Sequence, residues 1–243
     1  MKQLDMNRGA SPLYLQIGQI LKEEILNKIY PYQAIIPSEA ELQKKYQVSR
    51  ITARQAIQEL EKERLVKRAR GKGTIVIYQE KINENLLGIK SFTEEMKEKN
   101  ITPATSYAHI ELVKADKVLA EVFSVPIETD FFRLERVRTG DGEPIVVFVS
   151  YFPKECDLAL DDCLYFGSIY KMLEQKGLEP VLVNEQFDCM LPDTWLKKQL
   201  EIYGTLPIFR RIRKSYTQQG MMLEYTISYY RSDRYAYHIE LKK

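Results

Sequence analysis

Two sets of cationic and hydroxyl side chains carry the chemistry legible in this 243-residue chain. The first is compact: Ser49, Arg50, Thr52 and Arg54 stand together, followed by Lys67, Arg68, Arg70 and Gly71-Lys72-Gly73. Arginine forks onto guanine edges, threonine meets a phosphate or a thymine methyl, and glycines let a main chain approach a groove, so this set could read duplex DNA. The second set is dispersed. In FFRLERVR, strand alternation would put Phe132, Leu134, Arg136 and Arg138 on one face, where two guanidinium groups behind apolar residues call for an anion. A phosphate or carboxylate ligand would answer that demand, as would an edge-strand position or an ion pair to Glu111 or Glu224. Ser91 and Ser168 each open a helical stretch whose free N–H groups attract anions, with Thr93 and Tyr170 adding hydroxyls two residues on. Glu224, followed by Tyr225, Tyr229, Tyr230 and Arg231, suits sugar hydroxyls.

The elements that must position the first set are written around it. Ser38 precedes Glu41 by three residues, a capping box that starts a helix running to about Tyr46. Gln47-Val48-Ser49 is a brief turn, and Ser49 is the N-cap of a second helix. There Ile51, Ala53, Ala56, Ile57 and Leu60 share a face, leaving Arg50, Thr52, Arg54, Gln55 and Gln58 to point elsewhere. Arginines and threonine in the first turn match a recognition helix entering a major groove. Two β-prone runs, Leu65–Arg70 and Thr74–Ile77, flank Gly71-Lys72-Gly73 and predict a hairpin wing. Upstream, Ser11-Pro12 reads as N-cap and first residue of an amphipathic helix ending near Asn27. Residues 1–77 are therefore expected to form a winged helix-turn-helix. Charge agrees with this division: residues 1–80 carry 14 Lys+Arg against 9 Asp+Glu, and residues 81–243 carry 22 against 25. A basic head sits on an acidic body, as in a DNA-binding domain joined to a sensing or assembly domain.

Residues 78–88 are polar and aperiodic, a linker by composition. Residues 89–243 hold an internal repeat. Residues 88–103 align with 165–180 at an offset of 77, matching Ser91 with Ser168, Lys99 with Lys176 and Pro103 with Pro180. Asp116 and Leu119 then match Asp193 and Leu196. One inserted residue makes the offset 78, so that Phe131, Arg133, Gly142, Ser150 and Tyr151 match Phe209, Arg211, Gly220, Ser228 and Tyr229. Each half reads as a serine-started helix, a strand, a short helix and a hairpin turning at Asp141-Gly142 or Gln219-Gly220, which predicts a duplicated α+β antiparallel-sheet domain.

Other classes find little support. The most apolar run, Ile145–Phe152, is strand-length, and charges at Lys2, Asp5 and Arg8 precede no apolar core of a signal peptide. Three cysteines without a C-x-x-C pair fit a reducing cytoplasm, and two scattered histidines offer no zinc site. An enzyme with a DNA-binding head would need an assembled catalytic set, and no histidine base beside a nucleophile, metal constellation or P-loop is present. An effector-independent DNA-binding protein is the other alternative.

The segments PSEAEL, VSRITARQAIQEL and RGKGTIV resemble the amino-terminal domain of the GntR family of bacterial transcription regulators. The resemblance implies that Ser49, Arg50, Thr52, Arg54, Gly71, Lys72 and Gly73 meet double-stranded operator DNA. Ala40 departs from the family, which commonly has arginine after the PSE triplet. SFTEEM, ERVRTGDGEPI, GSIYKML and LEYTISYYRSDRY resemble the UTRA effector-binding domain of the HutC subfamily, whose fold is similar to chorismate lyase and whose ligands include phosphorylated sugars and small carboxylates. Carried over, Ser91, Phe92, Thr93, Ser168 and Tyr170 line the anion end, Arg136 and Arg138 neutralise it, and Glu224 and Tyr230 meet the rest of the ligand. Phe148 stands where many relatives have a glutamate. The expectation is a homodimeric cytoplasmic repressor, without catalysis, cofactor or metal, controlled by a small anionic effector such as a sugar phosphate.

Overall fold

The computed structural model describes residues 4–7, 9–79, 81–85 and 88–238, with residues 83–85 described by backbone alone. The chain divides into two compact units, Met1–Glu80 and Lys81–Lys243.

The first unit contains α1 (Leu13–Leu26), β1 (Ile35–Ile36), α2 (Glu39–Tyr46), α3 (Arg50–Lys62), β2 (Val66–Ala69) and β3 (Gly73–Val76). Local chemistry sets the boundaries. Ser38 Oγ accepts from Glu41 N at 3.3 Å while Ser38 N donates to Glu41 Oε2 at 2.8 Å, closing the expected capping box. Gln47 ends α2 at φ 54°, and Ser49 Oγ then accepts from Thr52 N at 3.2 Å to start α3. At α1 the expectation shifts by one residue. Pro12, not Ser11, holds the N-cap position, with ψ 138°, because helical geometry begins only at Leu13; the Ser11 carbonyl instead accepts from Gln16 Nε2 at 2.7 Å. Ile17, Leu21, Leu42, Ala56 and Ile57 are 1% exposed or less and tie the helices together. Strands β1, β3 and β2 form an antiparallel sheet, and β2 and β3 make the wing.

The second unit runs β4 (Ile82–Asn85), α4 (Phe92–Glu98), β5 (Pro103–Lys114), α5 (Lys117–Phe123), β6 (Asp130–Gly140), β7 (Glu143–Pro153), α6 (Ile169–Gln175), β8 (Leu182–Met190), α7 (Thr194–Gln199), β9 (Ile208–Tyr216), β10 (Met222–Arg231) and β11 (Tyr235–His238). Short 3-10 turns at Lys154–Cys156 and Asp162–Phe166 join β7 to α6. Six strands form an antiparallel sheet in the order β5-β6-β7-β10-β9-β8. Part of the expected linker is itself strand: β4 pairs in parallel with β11, Ile82 opposite Tyr235. Glu80, Leu86 and Leu87 of that segment lie outside the described residues.

The repeat is present as α4-β5-α5-β6-β7 and α6-β8-α7-β9-β10, with β7 and β10 paired at the centre. Asp116 and Asp193 cap α5 and α7 alike, each accepting from a backbone N–H at 2.8 Å. The register corrects one expectation. Ser150 pairs with Leu134, whereas Ser228 pairs with Arg211, so Arg211 is equivalent to Leu134 and Arg213 to Arg136. The offset stays at 77 through β6 and β9 and is 78 along β7 and β10, where matching bulges skip Ile145 and Leu223 in the pairing with β6 and β9. A one-residue slip exchanges the faces of a strand, so matching Arg133 with Arg211 paired residues on opposite faces.

On one face of the sheet, Leu134 and Phe152 pack with Ile169 and Leu173 of α6, and Phe148 and Tyr230 with Phe92 and Met96 of α4. On the other, Val137 and Val147 pack with Leu196 and Leu200, and Phe131 with Leu119 of α5.

Candidate functional site

Two cationic surfaces emerge, one in each unit. In the first, α3 buries Ala53, Ala56, Ile57 and Leu60 and turns Arg54, Gln55 and Gln58 outward. The Arg50 side chain is 80% exposed, its Nε 3.5 Å from Glu39. Ser49 and Thr52 share a hydroxyl contact at 2.9 Å at the helix start. Gly71 and Gly73, at φ 76° and 96°, shape the wing tip and leave Lys72 exposed. Arg68, exposed, pairs with Glu39 and Glu61. A helix terminus with exposed guanidinium groups beside a basic hairpin is suited to a groove and its flanking phosphates.

In the second unit a cleft opens on the sheet face covered by α4 and α6, with about 450 Å³ of empty space, part of it open to solvent. Arg136 and Arg138 stand in it, 4% and 3% exposed. Arg136 Nη1 and Arg138 Nη1 both donate to the Gly167 carbonyl, at 3.1 and 3.2 Å. Arg138 also donates to Ala104 O at 3.1 Å and to Thr93 Oγ1 at 2.9 Å, and lies over the Phe92 ring at 4.9 Å. Neither arginine forms an ion pair with a described residue. Glu111 is taken by Arg133, and Glu224 Oε1 accepts from Tyr170 OH at 2.7 Å and Ser215 Oγ at 2.9 Å. The Arg136 Nε is buried without a hydrogen-bond partner. Burial first, then the like charge of Arg138, pushes Arg136 down to about 9 against the pull of Glu224, and burial pushes Arg138 down to about 10. Both stay charged at neutral pH, so the cleft holds two cations that form no ion pair with a described residue.

The other wall comes from β9 and β10. Arg213 donates to Glu185 at 2.5 Å and to Tyr170 OH at 3.0 Å; Arg211 donates to Tyr237 OH and Tyr230 OH, each at 2.5 Å. Thr226 donates to Ser150 at 2.8 Å. The start of α4 is occupied from within: Ser91 donates from its N–H and its hydroxyl to Glu94, holding that carboxylate below its ordinary range. Ser168 is looser, its Oγ accepting from Lys171 N at 3.5 Å.

Against known proteins, residues 13–76 match the bacterial regulatory proteins of the gntR family and residues 98–236 match the UTRA domain. The chain is 30% identical to the HTH-type transcriptional repressor NagR of Bacillus subtilis (strain 168) over 227 residues, 93% of each protein. The chain belongs to the GntR family, with a UTRA domain. The mannosyl-D-glycerate transport/metabolism system repressor MngR of Escherichia coli (strain K12) is 25% identical, over 94% of this chain and 95% of that protein. The crystal structure of PhnF from Mycobacterium smegmatis superposes with a TM-score of 0.63 at 27% identity, covering 93% of this chain and 99% of that one. The protein is thus a DNA-binding transcription regulator of the GntR family with an effector-binding domain.

In this GntR regulator the cleft gathers Ser91, Phe92, Arg136 and Arg138 from the first half of the repeat and Ser168, Tyr170 and Glu224 from the second. The UTRA match begins beyond Ser91, Phe92 and Thr93. Two expected lining residues stand behind the wall: Thr93 braces Arg138, and Tyr230, fully buried, braces Arg211. Tyr225 and Tyr229 fall on the opposite face, because alternation from Glu224 and Tyr230 turns them away. Arg211, Arg213 and Thr226 were not expected in the cleft. Their signal was the alternation Arg211-Ile212-Arg213, the same pattern that marked Arg136 and Arg138. Among the described residues no group of histidine, cysteine and acidic side chains could hold a metal, and no helix is long and apolar enough to cross a membrane.

Proposed function

We propose that this regulator is a repressor acting as a homodimer on a two-fold symmetric operator, and that a small metabolite with an anionic group binds in the cleft and changes operator affinity. The observation that carries the reading is the pair of buried arginines, Arg136 and Arg138, without a carboxylate partner. The ligand's anion takes that place, accepting charge-assisted bonds that neutral groups cannot match. Ser168 lies beside it, while Glu224 and Tyr170 face the ligand's hydroxyls. Arg50, Thr52 and Arg54 contact bases and backbone, and Gly71 to Gly73 carry Lys72 to phosphate. One small winged head makes few base contacts, and pairing two of them on a palindrome supplies affinity and register. A difference of about 1–3 kcal/mol in ligand affinity between DNA-competent and DNA-incompetent arrangements suffices for control.

MngR is named for mannosyl-D-glycerate, a sugar carrying a carboxylate, and that chemistry belongs to the same class as a sugar phosphate. Phe148, at the aromatic side of the cleft and 6.0 Å from Arg136, gives this ligand an apolar neighbour where a hydroxyl acceptor would otherwise stand. The test is a thermal-shift screen of sugar phosphates and sugar acids, followed by gel-shift assays on an operator selected from random DNA. A hit that raises the melting temperature of the parent, leaves Arg136→Met unmoved and alters operator binding supports the proposal. A hit that stabilises both proteins equally removes the arginines from the site.

A further inference from the structure

The two halves of the cleft present the same arginine to different neighbours. On β9, Arg213 sits between Glu185 of β8 and Thr226 of β10. On β6, its equivalent Arg136 sits between Ala108 of β5 and Phe148 of β7. Ala108 and Glu185 are themselves equivalent, related by the offset of 77 that relates Arg136 to Arg213. Glu185 reaches both cations of its half, 2.5 Å from Arg213 Nε and 3.5 Å from Arg211 Nη1, with its side chain 11% exposed. Alanine at the matching place reaches nothing polar. The electrostatic outcome differs accordingly. Burial and Arg211 pull Arg213 down, yet Tyr170, Glu185 and Glu224 hold it above its ordinary value, whereas Arg136 is depressed. Glu224 acts on both arginines and so does not distinguish the halves.

Resting on the reading of this cleft as the effector site, we infer that Glu185 is a specificity-determining residue: it fills, from within the protein, one of two anion seats built on the equivalent arginines Arg136 and Arg213, and restricts the cleft to ligands bearing a single anionic group, received at Arg136 and Arg138. A second anionic group on the ligand would meet the Glu185 carboxylate and arginines already paired with it. Like charges brought together in a desolvated place repel strongly, so such ligands are excluded by charge rather than by size. The exchange is reciprocal: removing the Glu185 charge opens the second seat, and a carboxylate at position 108 fills the first.

The experiment uses the full chain and inorganic phosphate, counted by equilibrium dialysis at constant ionic strength. The parent binds one phosphate per chain. Glu185→Gln preserves the size of the side chain and removes its charge; it binds two, and its melting temperature falls in phosphate-free buffer and recovers when phosphate is added. Ala108→Glu loses phosphate affinity at least tenfold without losing its fold. One phosphate bound by Glu185→Gln with parental affinity, or parental binding by folded Ala108→Glu, overturns the assignment of Glu185 and leaves the cleft as an anion site. A parent that binds no phosphate overturns the reading of the cleft itself, and the inference with it. Should either variant fail to fold even in phosphate, the other decides.

Discussion

Arg50 and Arg136 are the same side chain put to opposite uses. Arg50 projects into solvent from α3, 80% exposed, with only a 3.5 Å ion pair to Glu39, an exposed contact worth little to stability. Its charge is hydrated and free to move onto DNA. Arg136 is 4% exposed on an interior strand, beside another buried arginine. There the protein has stripped the charge of water without an ion pair to any described residue. The contrast teaches that an exposed cation is a contact, whose loss is felt by the partner alone, while a buried unpaired cation links ligand binding to the energetics of the fold.

The strongest way to break that contrast is Arg136→Met. Loss of a desolvated charge partner should weaken effector binding by about 2–5 kcal/mol. The ligand-free protein should melt at or above the parental temperature, because an apolar side chain replaces an uncompensated charge. Calorimetry and thermal melts on one preparation settle it: a lower melting temperature with unchanged ligand affinity would make Arg136 a structural residue. Arg50→Ala should do the reverse, costing roughly 1–3 kcal/mol of specific operator binding and relaxing base preference, with stability within about 0.5 kcal/mol of the parent. Lys72→Ala should weaken operator and random DNA alike and lower the salt slope by about 1. Equal effects of the two on random DNA would demote α3 to a phosphate contact.

A gentler probe is pH. A phosphomonoester gains its second charge near pH 6, and the arginines stay protonated there, since even Arg136 is pushed down only to about 9. Affinity for a phosphorylated effector should therefore rise as pH goes from 5 to 7. A carboxylate effector should show a flat profile, and a falling one would contradict both. The smallest expected effect separates the two helix starts. Ser91→Ala opens the capping box with Glu94 and should cost about 1 kcal/mol of stability. Ser168→Ala breaks only a 3.5 Å contact and should leave the melt unchanged while weakening the ligand. Identical stability losses would show that both serines serve their helices and neither serves the cleft.

What could be read in the sequence follows the range of each interaction. Ser38-Glu41, Ser49 before Arg50 and Gly71-Lys72-Gly73 act over a few residues, so the first unit was legible almost whole. Pro12 shows the limit even there, since a proline could open the helix or precede it. In the second unit the helix starts at Ser91 and Ser168 and the arginine pair on β6 were legible for the same local reason. Glu185 was not, because its meaning depends on lying opposite Arg213 across two strands. The placing of the inserted residue failed on similar grounds: identical letters at Arg133 and Arg211 outweighed the pleat, and only the strand register shows which face each one occupies. Tyr230 and Thr93 carried the right chemistry for a ligand, but their hydroxyls are engaged by arginines, a fact that rests on tertiary packing.

The parallel pairing of β4 with β11 has a consequence for synthesis. Strand β4 leaves the ribosome just after the DNA-binding unit, yet its partner lies far later in the chain, at Tyr235–His238. Contacts this distant in sequence close late because the intervening loop must be ordered first. A nascent or prematurely ended chain therefore carries a finished winged head while β4 is unpaired. On the proposed reading, such a chain would not answer to the effector. On that reading, a stop codon just before Tyr235 is expected to yield a protein that no longer answers to the effector, while a still responsive product would show that β11 has no such part.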